Sequence, residues 1–131
     1  MFLERKIISR MRGEQSRQFD CIEGWRHLVD AVQTFGENHE FTKLVPNLTD
    51  KNPDDSFSSI PYEKGFMLLY HLEEKLGGIE VFDKYLMAHV KKFDSKSFDT
   101  NDWKAFLYEY FNDKVGFLLF KFNVSIFKLF H

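Results

Sequence analysis

Three observations predict an all-α fold of about five helices. Apolar residues recur at spacings of three and four in five separate stretches. No alternating strand pattern occurs before the last sixteen residues. Glycine or proline punctuates most of the junctions between the stretches.

The first helix is expected over about Phe2 to Met11, with Leu3, Ile7 and Met11 on one apolar stripe beside Glu4, Arg5 and Lys6. The second should open at Asp20, with Glu23 three residues on at a capping-box spacing. Trp25, Leu28, Val29 and Val32 would form its buried face, and Gly36 its end. From Glu37 to Ile60 the period disappears. Pro46, Pro53 and several Asp and Asn make this a long loop, of a length that in compact domains usually serves function. A third helix follows, capped by Ser58 or Ser59, with Pro61 in its first turn and Leu68, Leu69, Leu72 and Leu76 inward. Gly77 and Gly78 stop it. The fourth shares Phe82, Leu86, Val90 and Phe93 on one side. The fifth runs from about Asp99 to Phe111, with Trp103, Phe106, Leu107, Tyr110 and Phe111 at helical spacing.

A domain boundary is expected at Val115, so that residues 1–115 form one helical body and 116–131 an unrelated Phe-rich tail. That tail carries five Phe in sixteen residues. Phe120, Phe122, Val124 and Ile126 alternate as a strand would, with no partner strand to pair with. Self-association through this apolar tail is expected.

Composition narrows the function classes. Hydrophobic content of 44% and charged content of 29% are ordinary for a folded chain of 131 residues, but sixteen Phe are not. So much aromatic surface needs cover, in this chain or against something larger. A net charge of -2 supplies no basic field, so no nucleic-acid partner is expected. No membrane partner is expected either, because Gly116 to Leu129 is too short to span a bilayer and is broken by Lys121, Asn123 and Lys128. Charge interrupts the start Met-Phe-Leu-Glu-Arg-Lys at once, which is no signal peptide, and the expected location is cytoplasmic. The single Cys21 allows no internal disulfide.

Local chemistry yields one constellation. His27, His39, His71, His89 and His131 contain no H-E-x-x-H pair, so no metal site is expected. Glu23 and His27, four apart on a helix, read as a surface pair; His71 with Glu73 or Glu74 is weaker still. Cys21 lies beside Asp20, which would raise its pKa, and Ser56, Ser58 and Ser59 suit caps and turns. The stretch Pro53-Asp54-Asp55-Ser56-Phe57-Ser58-Ser59-Ile60-Pro61-Tyr62-Glu63-Lys64-Gly65 differs. It delivers a tyrosine into the electropositive first turn of a helix, where a phenol can donate to a developing oxyanion. The blander reading packs Tyr62 against the loop and sets Glu63 against the helix dipole.

The stretches Phe2-Leu3-Glu4-Arg5, Gly24-Trp25, Thr34-Phe35-Gly36-Glu37, Phe41-Thr42-Lys43-Leu44, Leu48-Thr49-Asp50 and Ser58 to Gly65 closely resemble one family. So do Leu76-Gly77-Gly78, Asp102-Trp103-Lys104 and Phe106-Leu107-Tyr108. It is the leukotriene A(4) hydrolase and aminopeptidase B type of zinc aminopeptidase, a gluzincin. The resemblance runs in order from about Phe2 to Val115 and implies the C-terminal helical part of a thermolysin-like catalytic domain. It implies zinc as the cofactor of the parent family and a peptide as its substrate. The family's H-E-x-x-H and Asn-Glu-Gly ligands would precede Phe2, so this chain alone is expected to hold no zinc and to be inactive. Tyr62 matches the tyrosine that stabilises the tetrahedral intermediate. Asp54 matches an aspartate that places water for leukotriene epoxide hydrolysis. Glu4, on the helix of the missing ligand, and Glu63 would support the site from behind. Phe57 replaces a tyrosine that lines the lipid site of the mammalian leukotriene enzyme, so the resemblance carries peptide hydrolysis further than epoxide chemistry. The alternative is a stand-alone helical module that binds or regulates a larger relative.

Overall fold

The computed structural model describes residues 1–112. These form five α-helices and no strand: α1 (Phe2–Arg12), α2 (Glu14–Phe35), α3 (Ile60–Lys75), α4 (Ile79–Lys92) and α5 (Thr100–Phe111). The all-α expectation holds. The tail from 116 onward lies outside the described residues. Among these, no helix is long and apolar enough to cross a membrane. The chain divides into two compact units, Met1–Tyr70 and the part beginning at His71, with the division inside α3.

In the first unit, α1 and α2 are separated only by Gly13. Its φ of 91° is left-handed, and its N–H closes α1 on the Ser9 carbonyl at 2.8 Å. That conformation suits glycine and turns the chain between two helices without a loop. Helix α2 therefore starts six residues before the expected Asp20. Residues 14–19 include Glu, Gln and Arg, good helix formers, and Asp20 lies in the helix interior with no cap to make.

The face of α1 also departs from expectation. Leu3, Ile7 and Met11 are 55%, 57% and 74% exposed, whereas Phe2, Arg5 and Lys6 are buried. The long stems of Arg5 and Lys6 lie against aromatic rings, with the Arg5 guanidinium 4.3 Å from the Phe66 centroid and the Lys6 amine 5.4 Å from Phe2. Such side chains can be buried when their charged ends find partners. On α2 the inward residues are Arg17, Gly24 and Leu28, while Trp25 is exposed. Arg17 lies over the Tyr70 ring at 4.7 Å.

The long loop is not featureless. It carries 3₁₀ turns at Glu40–Thr42 and Pro53–Ser56. The His39 ring accepts from the Phe41 N–H at 3.2 Å and stacks with Phe35. Thr42, buried, donates to the His39 carbonyl at 2.7 Å.

In the second unit, Leu72 and Leu76 are buried as expected, and Gly78 donates to the Glu73 carbonyl at the end of α3. Helix α4 turns Phe82 and Tyr85 inward and leaves Val90 exposed, so the buried face is not the one expected to include Val90. The reason is aromatic packing. Tyr85 meets Phe106 at 5.7 Å and Phe111 at 5.2 Å, and His89 adds Phe93 and Phe98 at 4.9 and 5.1 Å. Five of the chain's sixteen Phe lie in this cluster. Helix α5 opens on Asp99, whose carboxylate accepts from the Asn101 and Asp102 N–H groups while Asp102 accepts from Asp99. That reciprocal box satisfies amides no helix can pair internally.

Candidate functional site

The segment from Asn52 to Gly65 is built by short-range bonds and then anchored from three directions. Asn52 accepts from the Asp54 N–H at 3.2 Å, and Ser56 donates to the Pro53 carbonyl at 2.7 Å, which closes the 3₁₀ turn. Ser58 accepts from the Ile60 N–H at 3.3 Å, a local bond two residues on that satisfies the first amide of α3. Ser59 does something else: it donates to the His27 carbonyl of α2 at 3.0 Å and ties the loop's end to that helix.

The first turn of α3 splits its side chains between core and solvent. Ile60 is fully buried, Glu63 is 1% exposed, and Tyr62 is 50% exposed. Glu63 accepts two bonds from the Arg5 guanidinium of α1, at 2.8 and 3.1 Å. Lys64, also buried, donates to the Thr42 carbonyl at 2.5 Å and is held below its ordinary pKa by burial. A Cβ on Gly24 of α2 would fall within 3.0 Å of both the Glu63 carboxylate and the Arg5 guanidinium. The backbone of α2 thus lies directly against the ion pair, which only glycine permits. Helix α1, helix α2 and the 3₁₀ turn at Glu40–Thr42 all grip the turn that carries Tyr62.

Of the residues singled out from the sequence, Tyr62 and Glu63 are brought into one turn with opposite fates. Glu63 does not simply face the helix dipole from solvent, because its carboxylate is engaged by Arg5. Asp54 is exposed in the 3₁₀ turn, with Phe57 80% exposed at its end. Glu4 is exposed and lies 3.5 Å from the Met1 amine, away from the Glu63 cluster that its neighbour Arg5 joins. Glu23 pairs with Arg26 at 3.2 Å rather than with His27, in keeping with a surface role. The Cys21 thiol is raised as expected, chiefly by burial, with Asp20 only a lesser cause.

Sequence reasoning passed over Arg5, Gly24 and Lys64 as functional residues. One local clue was available. A glycine in the interior of a helix costs about 1 kcal/mol relative to alanine, which hints at a close approach. As for a cofactor, no group of three His, Cys, Asp or Glu able to hold a metal exists among the described residues. That donor set does not fit a zinc ion.

Comparison with known proteins agrees with this architecture. The Peptidase family M1 domain matches residues 1–122. A leukotriene A-4 hydrolase of Xenopus laevis is 49% identical over 118 residues, which is 90% of this chain and 19% of the relative. A leucine aminopeptidase 2 of Emericella nidulans is 49% identical over 111 residues, 85% of this chain and 18% of the relative. Among solved structures, native leukotriene A4 hydrolase from Saccharomyces cerevisiae superposes with a TM-score of 0.85 at 43% identity, covering 89% of this chain and 19% of that one. The chain spans about a fifth of the length of these relatives. With the family match running along nearly all of it, this chain belongs to peptidase family M1.

Proposed function

We propose that this chain is a helical part of the catalytic domain of a zinc aminopeptidase, and that Tyr62 donates its phenolic hydrogen to the oxyanion formed when a peptide carbonyl is attacked. The observation that carries this reading is the exposure of Tyr62 on a turn whose neighbours are all fixed. Ile60, Glu63 and Lys64 are buried and bonded or packed, whereas Tyr62, like Pro61 beside it, is exposed to solvent. A donor held in place before reaction stabilises developing charge without reorganising. The N-terminal end of the α3 dipole adds positive potential at this turn.

Two further expectations belong to the same reading. With no group of three potential metal ligands among the described residues, the chain by itself is proposed to bind no stoichiometric zinc and to cleave no peptide. Metal analysis after dialysis, returning one tightly held zinc per chain, would contradict that. Epoxide hydrolysis of the leukotriene kind rests on Asp54 alone, exposed in its 3₁₀ turn. Exposed Leu3, Ile7 and Met11 on α1 suit a segment that the rest of a larger domain covers.

The test is a chimaera in which residues 1–112 replace the matching stretch of the yeast relative. Tyr62→Phe keeps the ring and removes only the donor. The expected outcome is a loss in kcat of roughly 10²–10³ on peptide substrates, with KM changed far less. An unchanged kcat would return Tyr62 to a packing role.

A further inference from the structure

We infer that Arg5 is a positioning residue for Tyr62, acting through Glu63 and held in register by the bare backbone of Gly24. The inference rests on the oxyanion reading of Tyr62 and extends it to a residue on a different helix.

Tyr62 and Glu63 are consecutive in the first turn of α3, so the backbone that aims the phenol also carries the buried carboxylate. A single hydrogen bond would leave Glu63 free to swivel about it. Two bonds from one planar guanidinium, at 2.8 and 3.1 Å, fix both the position and the plane of the carboxylate. Arg5 is itself confined, with its guanidinium 4.3 Å from the Phe66 ring centroid and only 5% of the residue exposed. On the remaining side Gly24 leaves no clearance, since even a methyl group there would overlap both partners. The pair is therefore clamped between the Phe66 ring and the α2 backbone. Any change in its geometry must move the first turn of α3, and Tyr62 with it. Misplacement of a catalytic group by about 1 Å can cost a hundredfold in rate.

A merely structural ion pair and a positioning pair predict different kinetics. In the chimaera, Arg5→Gln should lower kcat by about tenfold or more while KM stays within about threefold. The deciding measurement is the double variant. If Arg5 acts through the Tyr62 phenol, Arg5→Gln in the Tyr62→Phe background should cost little further, because the group it aims is already gone. Arg5→Lys keeps the charge but not the paired bonds, and should fall between wild type and Arg5→Gln. It is read in the same way if Arg5→Gln does not fold. Losses that multiply in the double variant, or an intact kcat in Arg5→Lys and Arg5→Gln, would overturn the inference while leaving Tyr62 in its role. An unchanged kcat in Tyr62→Phe alone would instead sink the oxyanion reading and this inference together.

Discussion

Arg5 and Glu63 stand 58 residues apart in sequence and meet in a buried, two-bonded ion pair beneath Gly24. The pair joins α1 to α3 in the first unit. It is also the place where a small change should do most damage. Removing one partner of a buried pair leaves the other charge desolvated, at a cost of roughly 3–5 kcal/mol. Glu63→Gln should lower stability to that extent in denaturant unfolding of the full chain. Arg26→Ala, which breaks the exposed pair with Glu23, should cost under about 1 kcal/mol. Equal effects from the two variants would show that the burial of Arg5 and Glu63 is not what makes their pairing matter.

Gly24→Ala tests the same cluster without touching a charge. The added methyl group must displace the Glu63 carboxylate, the Arg5 guanidinium or the α2 backbone. Alanine's better helix propensity would favour the variant by about 1 kcal/mol in an open helix. Overpacking should reverse that sign, with a net loss of about 1–2 kcal/mol by the same unfolding measurement. A stabilised variant would mean that the close approach is slack.

Tyr62→Phe should leave the melting temperature of the chain almost unchanged, because the residue is half exposed. Asp54→Asn is the companion in the chimaera. Exposed in its turn and tied by resemblance to epoxide chemistry alone, it should leave most peptide turnover intact. A collapse of peptide hydrolysis in Asp54→Asn would move Asp54 into the peptidase machinery.

The second unit should lose stability in acid through His89. Burial among Tyr85, Phe93, Phe98 and Phe106 holds its pKa below the ordinary 6.5. The unfolded chain therefore takes up this proton before the folded one does. The stabilising contribution is present above pH 6.5 and is lost as pH falls through the depressed folded value. His89→Phe should flatten that part of the melting temperature against pH profile. At the alkaline end the Tyr85 phenol, pushed up to about 12 by burial with Trp103 partly opposing, should erode stability between pH 10 and 12. The unfolded phenol ionises first there. Tyr85→Phe should remove that slope.

The Phe-rich residues 116–131 lead to a prediction from sequence alone. A chain ended at Val115 should show a larger monomer fraction in size-exclusion chromatography. Greater aggregation of the shortened chain would make those residues part of the folded body.

What the sequence determined by itself was local. Glycines at 36, 77 and 78, the start of α5 at about Asp99 and the 3.6-residue period of α3 and α5 are set by neighbours a turn or two away, and they lie where expected. The placement of Tyr62 in the first turn of α3 was legible for the same reason, but its exposure was not. The tertiary structure decided which face of each helix turned inward. On α1 the period offered Leu3, Ile7 and Met11, yet the buried side is the one with Arg5 and Lys6. Periodicity identifies faces but does not rank them. The ranking depends on partners such as Glu63 and Phe66, and on a glycine placed to admit them. Those lie tens of residues away in sequence, and only chain folding brings them within bonding distance.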